Sequence, residues 1–383
     1  MIPRERVEAT FAGRTPDRPA VHHIGFCSSA ASAMLGREAY VGGGIQRWRE
    51  ARSLWSGPDA HAEFLERSYR DAVDLAIACG NDIVRPSYWR CPRKPSRLID
   101  ENTFVFEQGP EENWQVLKYD PPSEQCAIVP YLPESKPTFE DLERGIEAKE
   151  RSLDDYRPNE GPFAFEIRAM AELGDERTIR IGGNGMGIPH DHIWMEAIAL
   201  RPDLCRRRLA VLAETTVRNL EFLTAKGFRY FFGGYDFSSQ TGPMFSPAMF
   251  RELMLGPLQK VSAACRRLGV YNLFASDGNL WSVADTLFGE SGVDGYYEID
   301  RRADMDLRAL RGRFDSLTLV GNISSHTVHL GTREEIVAEV RDCVDVAREL
   351  GRVVVGISNY VVPGTPPENV RTMCDSVVEL IGQ

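Results

Sequence analysis

The sequence predicts a (β/α)8 TIM barrel, and three observations lead to this fold class. Eight short apolar runs begin near residues 20, 82, 178, 229, 270, 294, 317 and 352, and helical sequence follows each of them. Most of these runs end in a polar or glycine-containing turn, as Asp277 and Gly278 end the run that starts at Val270. No Gly-x-Gly-x-x-Gly turn follows the first run, which counts against a dinucleotide-binding sheet. Eight β/α units favour a closed barrel over an open sheet.

The composition indicates an ordinary globular protein and excludes several function classes. The 383 residues carry a net charge of −11, which argues against a broad nucleic-acid surface. No apolar run approaches the roughly 18 residues of a membrane span, and the N-terminus lacks a signal-peptide core. The eight cysteines are scattered without a Cys-x-x-Cys pair, as reduced buried thiols are. We therefore expect a cytoplasmic protein with no membrane partner.

The first elements are an amphipathic segment at 4–18, a strand at 20–26 and a helix around 59–79. Gly80 is suited to end that helix before the second strand, at 82–88. Apolar residues recur along the helix at the spacing of one helical face, and these are Phe64, Leu65, Tyr69, Ala72, Val73 and Ala76.

Residues 91–177 interrupt this alternation. A polar turn containing Gly-Pro separates strand patterns at 103–106 and 114–119, which predicts an antiparallel hairpin. Two charged helical segments follow. We interpret 91–177 as an insertion on a barrel loop within one domain spanning 1–383; a small cap domain is the alternative.

From residue 178 onward, strand and helix patterns alternate without interruption to the end. Ser246 and Pro247 supply an N-cap and a first-turn proline for a helix at 247–268. Pro366-Pro-Glu368 begins the last helix in a similar way.

The candidate functional residues are those at the carboxyl ends of the strands, because these ends line the site of a (β/α)8 barrel. Clustered acids there can shift one another's pKa values for acid–base work, or hold a cation. For Glu298 and Asp300, helix capping or pairing with Arg301 and Arg302 is the alternative. The strand-end residues are Cys27, Ser28, Tyr88, Arg90, Asn184, Tyr235, Asp236, Ser276, Asp277, Glu298, Asp300, Asn322, His326, Ser358, Asn359 and Tyr360.

Two further features suggest ligands. His190 and His192 could donate two imidazoles to a divalent metal such as Zn²⁺, although the spacing fixes no third ligand. Glycine-rich turns at 182–187 and 233–234 could direct backbone N–H groups at an anion. Strand-to-helix turns also need glycine for conformational reasons alone.

Several motifs along nearly the whole chain resemble those of the uroporphyrinogen decarboxylase superfamily, which includes corrinoid-linked methyltransferases. The motifs are Arg4-Glu-Arg-Val7, Pro16-Asp-Arg18, Ser246-Pro247-x-x-Phe250, Ser276-Asp-Gly-Asn279, Gly292-Val-Asp294, Gly321-Asn-Ile323 and Pro363-Gly-Thr-Pro-Pro-Glu-Asn369. The resemblance implies a (β/α)8 barrel, in agreement with the strand count, and by analogy a homodimer.

The chain departs from both branches of this superfamily. Decarboxylases carry Arg-Gln-Ala-Gly-Arg after the first strand, where this chain has Gly25-Phe-Cys-Ser-Ser-Ala30. The family's essential aspartate on the second strand matches Asp82, and its C-terminal histidine falls at Asn359. The zinc methyltransferases use His-x-Cys and a later Cys, and Ala275, Asp277 and Asn359 occupy those positions.

The resemblance and the strand-end rule together assign two sets of residues. The expected catalytic residues are Asp82, Asp236, Asp277 and Asn359. The expected substrate-binding residues are Tyr88, Arg90, Asn184, Tyr235, Ser276, Glu298, Asn322 and Tyr360.

Three functions remain open from the sequence. The first is methyl transfer between a methylated small molecule and a corrinoid (cobalamin) protein. The second is decarboxylation of a porphyrinogen or smaller acid, which gains if Arg85, Arg90 and Arg180 converge on the barrel mouth. The third is a non-catalytic barrel that binds a small ligand.

Overall fold

The computed structural model describes residues 1–132, 136–182 and 185–382, except for the Glu112 side chain. Its strands are β1 Ala20–Val21, β2 Ile83–Val84, β3 Arg97–Asp100, β4 Thr103–Phe106, β5 Gln115–Asp120, β6 Gln125–Pro130, β7 Thr178–Ile179, β8 Ile181–Gly182, β9 Tyr230–Gly234, β10 Ser238–Ser239, β11 Gly242–Pro243, β12 Tyr271–Ala275, β13 Gly295–Tyr297, β14 Thr318–Val320 and β15 Val353–Val355. Its helices are α1 Pro3–Phe11, α2 Ser28–Leu35, α3 Gly44–Ser56, α4 Pro58–Ala78, α5 Phe139–Asp155, α6 Ala164–Leu173, α7 His192–Leu200, α8 Pro202–Thr224, α9 Pro247–Leu268, α10 Leu307–Arg313, α11 Ser325–Leu330, α12 Arg333–Leu350 and α13 Pro367–Ile381.

A curled parallel sheet forms the centre of the molecule, and the predicted barrel class is confirmed. Seven segments pair in the order β1-β15-β14-β13-β12-β9-β8, and β2 pairs with β7. The segments β7 and β8 are two parts of one strand interrupted at Arg180, whose N–H donates to the Val84 carbonyl (3.1 Å). All eight predicted strand positions are therefore occupied.

The ring is not closed by a continuous ladder. Between the first two strands, the Asp82 N–H donates to the Val21 carbonyl (2.8 Å). The next carbonyl on the second strand, that of Ile83, contacts the Nδ1 atom of His22 (3.0 Å) instead of a backbone amide. The His22 side chain thus replaces a backbone hydrogen bond of the ladder, which explains why β1 and β2 are not paired.

Helix α1 covers the amino-terminal end of the barrel. Its Phe11 ring packs against Tyr230 and Tyr271, which begin β9 and β12, with both centroid separations at 5.0 Å. Apolar side chains at this end and along the interior are buried, including Val7 and Leu273. Burial of such area is the main source of stability, so this end of the barrel is a packed core.

Asp82 belongs to this amino-terminal end. It is fully buried, and its carboxylate accepts from Arg6 Nη1 (2.7 Å), Arg18 Nη1 (2.9 Å) and the Val21 N–H (2.8 Å). Because Asp82 precedes β2, it lies across the barrel from the carboxyl ends of the strands. The structure therefore does not bring Asp82, which was expected to be catalytic, to the carboxyl ends of the strands; its carboxylate holds the N-terminal segment against the barrel.

The inserted segment forms an antiparallel sheet of order β3-β4-β5-β6. The predicted hairpin is its central pair, and Phe104 and Leu117 are opposite each other and buried. The turn before β6 contacts the barrel, where Glu124 accepts the N–H groups of Ser28 (2.8 Å) and Ser29 (3.1 Å). An acid at the N-terminal turn of α2 is favourably placed, so this contact anchors the insertion beside the first βα loop.

Within the described part of the chain, each helix is too short or too polar to cross a bilayer.

Candidate active site

A cavity of about 570 Å³ opens at the carboxyl ends of the barrel strands. Acidic, basic and aromatic side chains share its wall. Those that bear on function are Arg85, Trp89, Arg180, His190, Phe232, Tyr235, Asp236, Asp277, Tyr297, Glu298, Asn359 and Tyr360.

The register of three neighbouring strands brings the acids together. Ala275 at the end of β12 is opposite both Gly234 of β9 and Tyr297 of β13. The residues immediately beyond these strand ends, Asp277 and Glu298 among them, therefore lie along one edge. Gly234 is required at this edge, because its φ is +127° and a Cβ there would be 2.3 Å from the Ala275 nitrogen.

Three carboxylates converge in the cavity. One oxygen from each of Asp236, Asp277 and Glu298 lies within 4.8 Å of the others. Asp277 is the most fixed of the three: its N–H donates to Asp236 Oδ1 (3.1 Å), and its Oδ2 accepts from Asn359 Nδ2 (2.5 Å). Asn359 is itself held by accepting the Tyr360 N–H at Oδ1 (2.5 Å).

The cluster raises the pKa values of two of its members. Burial, followed by the charges of Asp236 and Asp300, raises the pKa of Asp277 to about 7, against the hydrogen bond from Asn359. Burial, then Asp277 and Asp236, raises the pKa of Glu298 to about 8, and Arg180 and Arg85 oppose that increase. Near pH 7 the cluster therefore retains protons, as a group that acts as an acid must.

A stability measurement tests this arrangement. The pKa of Asp277 is higher in the folded chain than in the unfolded chain, so its ionisation opposes folding between about pH 4 and pH 7 and fully above pH 7. Asp277→Asn, which cannot ionise, is expected to raise the free energy of unfolding by about 1–3 kcal/mol at pH 8 and to change it little at pH 4. Urea unfolding at both pH values measures the difference. The exposed Asp315→Asn is the control, and an equal effect of Asp277→Asn at the two pH values would refute the shift.

Two arginines lie in the same cavity. Arg180 is 8% exposed, its Nη1 donates to His22 Nε2 (3.2 Å), and its guanidinium lies 4.7 Å from the Phe232 centroid. Burial lowers the pKa of His22 well below its usual value, and Arg180 adds to the effect. His22 is thus neutral, with its proton on Nδ1 facing the Ile83 carbonyl and Nε2 free to accept from Arg180.

Arg85 is fixed by backbone carbonyl groups, whereas Arg180 is held by a side chain. Its Nη1 donates to the Ile24 carbonyl (3.0 Å), and its Nε donates to the Ser87 carbonyl (3.0 Å). Its guanidinium lies over the rings of Tyr88 (4.6 Å) and Trp89 (5.2 Å). Among the residues that the structure describes, no carboxylate lies within ion-pair distance of Arg85 or Arg180.

The structure brings seven of the predicted residues into the cavity and places others elsewhere. Those in its wall are His190, Tyr235, Asp236, Asp277, Glu298, Asn359 and Tyr360. Asn184 lies outside the described residues. Tyr88 is half-buried beneath Arg85, beside the cavity wall.

Four further predicted residues lie outside the cavity. Arg90 pairs with the buried Glu50 of α3, which draws it toward the base of the insertion. Ser276 is fully buried, and its Oγ accepts the Phe237 N–H (3.4 Å). Asn322 is buried and accepts from Arg301 (3.2 Å). The structure therefore does not bring these three side chains into the cavity, and each one contacts a structural partner instead.

His192 is the fourth predicted residue that lies outside the cavity. It is exposed at the start of α7, where its Nδ1 lies 3.5 Å from Glu196, whereas the His190 ring packs on Tyr235 with centroids 5.2 Å apart. The two imidazoles therefore do not form a metal site together.

The donor atoms also decide which metal chemistry fits. Zinc-thiolate methyl transfer needs soft ligands, but the corresponding positions hold Ala275, Asp277 and Asn359, and no described cysteine lines the cavity. That zinc site does not fit this chain. The three carboxylates are oxygen donors, which suit a harder divalent cation such as Mg²⁺ or Mn²⁺.

The family model for uroporphyrinogen decarboxylase (URO-D) matches residues 186–380, about half of the chain. The chain belongs to the uroporphyrinogen decarboxylase family. No curated protein matches the chain significantly by sequence.

Among solved structures, a methyltransferase from Methanosarcina mazei is similar over 99% of both chains, with a TM-score of 0.68 and 16% identity. At that identity the likeness shows a shared fold over the whole chain. A chitinase from Rhizomucor miehei covers 57% of this chain and 87% of its own at 10% identity, but its TM-score of 0.34 supports no inference.

The sequence named Arg85 and Arg180 as arginines that would favour decarboxylation, but it did not assign either of them to the site. Arg180 interrupts the apolar run Thr178-Ile-Arg-Ile181, and a charge inside a strand pattern is a signal that supports such an assignment. Trp89 and Tyr297 gave no such signal, because aromatic residues are common in and after strands.

Proposed function

We propose that this URO-D family barrel transfers a methyl group from a methylated small molecule to a corrinoid protein. The observation that carries the proposal is the geometry of Asp277, a carboxyl group fixed by Asn359 at the mouth of a barrel whose fold is shared with a methyltransferase.

The chemistry requires an acid at this place. A reduced corrinoid supplies the nucleophile that accepts the methyl carbon. As the bond from the methyl carbon to its heteroatom breaks, the electron pair stays on the heteroatom, and a proton must reach it. Asp277 in its protonated form can donate that proton, and positioned acids contribute about 10²- to 10⁴-fold to such steps. Burial and the charge of Asp236 favour this protonated form of Asp277 near neutral pH.

Decarboxylation of a carboxylic acid is the second candidate, and one observation favours it. Of the three arginines that would indicate it, Arg85 and Arg180 line the cavity, whereas Arg90 does not. In that reaction the same acid would protonate the carbon from which CO2 has left.

A spectroscopic assay separates the two functions. Cob(I)alamin is mixed with the purified protein and, in turn, methanol, trimethylamine and 2-methoxybenzoate, and its conversion to methylcobalamin is followed by absorbance. We expect conversion with at least one donor, absent without protein and lost in Asp277→Asn. Release of CO2 from a carboxylic acid with no cobalamin methylation would instead establish decarboxylation. Metal analysis of the same sample tests for a bound divalent cation.

A further inference from the structure

Arg85 and Arg180 line the cavity without an ion pair to any described carboxylate. Glu166 and Glu298 act on both guanidinium groups only from beyond ion-pair distance. Burying an unpaired charge is costly, so buried guanidinium groups normally face an acid. Arg180 is nine-tenths buried, and its described hydrogen bond goes to a neutral imidazole. Burial and the nearby charge of Arg85 lower the pKa of Arg180 to about 10, against the opposing influence of Tyr297 and Glu298.

Both guanidinium groups are held in fixed directions. Arg85 is fixed by the Ile24 and Ser87 carbonyls, and Arg180 by His22, whose other nitrogen is fixed by Ile83. These contacts use part of each donor fork and leave N–H groups without a protein partner in the described chain. A preorganised guanidinium fork matches the two oxygens of a carboxylate.

The rest of the cavity indicates the shape of the ligand. Aromatic rings line the same cavity as the arginines and the acid cluster: Phe232 and Tyr297 pack with centroids 5.1 Å apart, and Trp89 and Tyr360 at 5.4 Å. Flat aromatic walls favour a planar apolar body. The wall of one cavity thus combines basic, aromatic and acidic groups.

We propose that Arg85 and Arg180 bind the carboxylate of a small planar acid whose methylated heteroatom faces Asp277. The inference rests on the proposed function for the fate of the methyl group, whereas the carboxylate site rests on the arginines alone. A methyl ether of an aromatic acid has the required chemistry: an anion at one end and a transferable methyl group at the other.

Binding is tested without corrinoid or methyl donor, by calorimetric titration of benzoate and its neutral isostere benzamide into the full-length protein. We expect benzoate to bind at least tenfold more tightly than benzamide. Arg180→Gln and Arg85→Gln are each expected to weaken benzoate binding by about 10- to 100-fold and to leave benzamide binding unchanged. Arg302→Gln is the control, because Arg302 is exposed near the mouth but outside the cavity wall.

Three results would overturn the site. These are equal affinity for benzoate and benzamide, unchanged benzoate affinity in both cavity variants, or stronger binding of inorganic phosphate than of benzoate. Arg180→Lys keeps the charge and should retain part of the affinity, which separates loss of the site from misfolding. Because no methyl transfer is involved, intact benzoate binding with no cobalamin methylation would reject the proposed function and leave the carboxylate site standing.

Discussion

Asp277→Asn is expected to lower kcat for methyl transfer by about 10²- to 10⁴-fold while KM changes little. The amide keeps the shape of the carboxyl group, and its oxygen can still accept from Asn359, but it has no proton of suitable acidity to donate to the leaving heteroatom. Steady-state kinetics with the donor identified in the cobalamin assay measure the loss.

The pH dependence of kcat independently tests the role of Asp277 as a proton donor. A catalytic carboxyl group that must be protonated loses activity as the pH rises through its pKa, here about 7. We therefore expect wild-type kcat to fall above pH 7, and the residual kcat of Asp277→Asn to show no such fall. If Asp277 were needed instead as an ionised metal ligand, activity would increase through the same range.

A matched control lies close by. Asp300 is one of the charges that raise the pKa of Asp277, yet its carboxylate caps the Arg302 N–H (2.9 Å) and it is not part of the cavity wall. Asp300→Asn should change kcat by less than about threefold at pH 5, where Asp277 is protonated with or without the Asp300 charge. An equal loss in both variants would mean that the cluster acts through its summed charge and not through Asp277.

The acid cluster was predictable from sequence because two rules agree at Asp236, Asp277 and Glu298. Each residue follows an apolar strand pattern by one or two positions, and parallel strands in register deliver such residues to one edge. The position of Arg180 in the cavity was harder to predict. Whether a side chain within a strand points into a barrel depends on strand tilt and stagger, which the sequence pattern does not specify. Strand β3 was missed because its residues are all exposed and so carry no apolar alternation.

Asp82→Asn is expected to lower the free energy of unfolding by about 3–5 kcal/mol, as removal of one partner from a buried ion pair does. Arg6 and Arg18 both donate to this fully buried carboxylate, and neutralising it would leave two guanidinium groups facing a single amide oxygen. Asp17 also pairs with Arg6, but its side chain is 42% exposed, so Asp17→Asn should cost only about 1 kcal/mol or less. Urea unfolding of both variants at pH 7 measures the difference. The folded fraction of Asp82→Asn should turn over at the wild-type rate, because the carboxylate lies across the barrel from Asp277. Loss of turnover with wild-type stability would contradict this placement and return Asp82 to the active site.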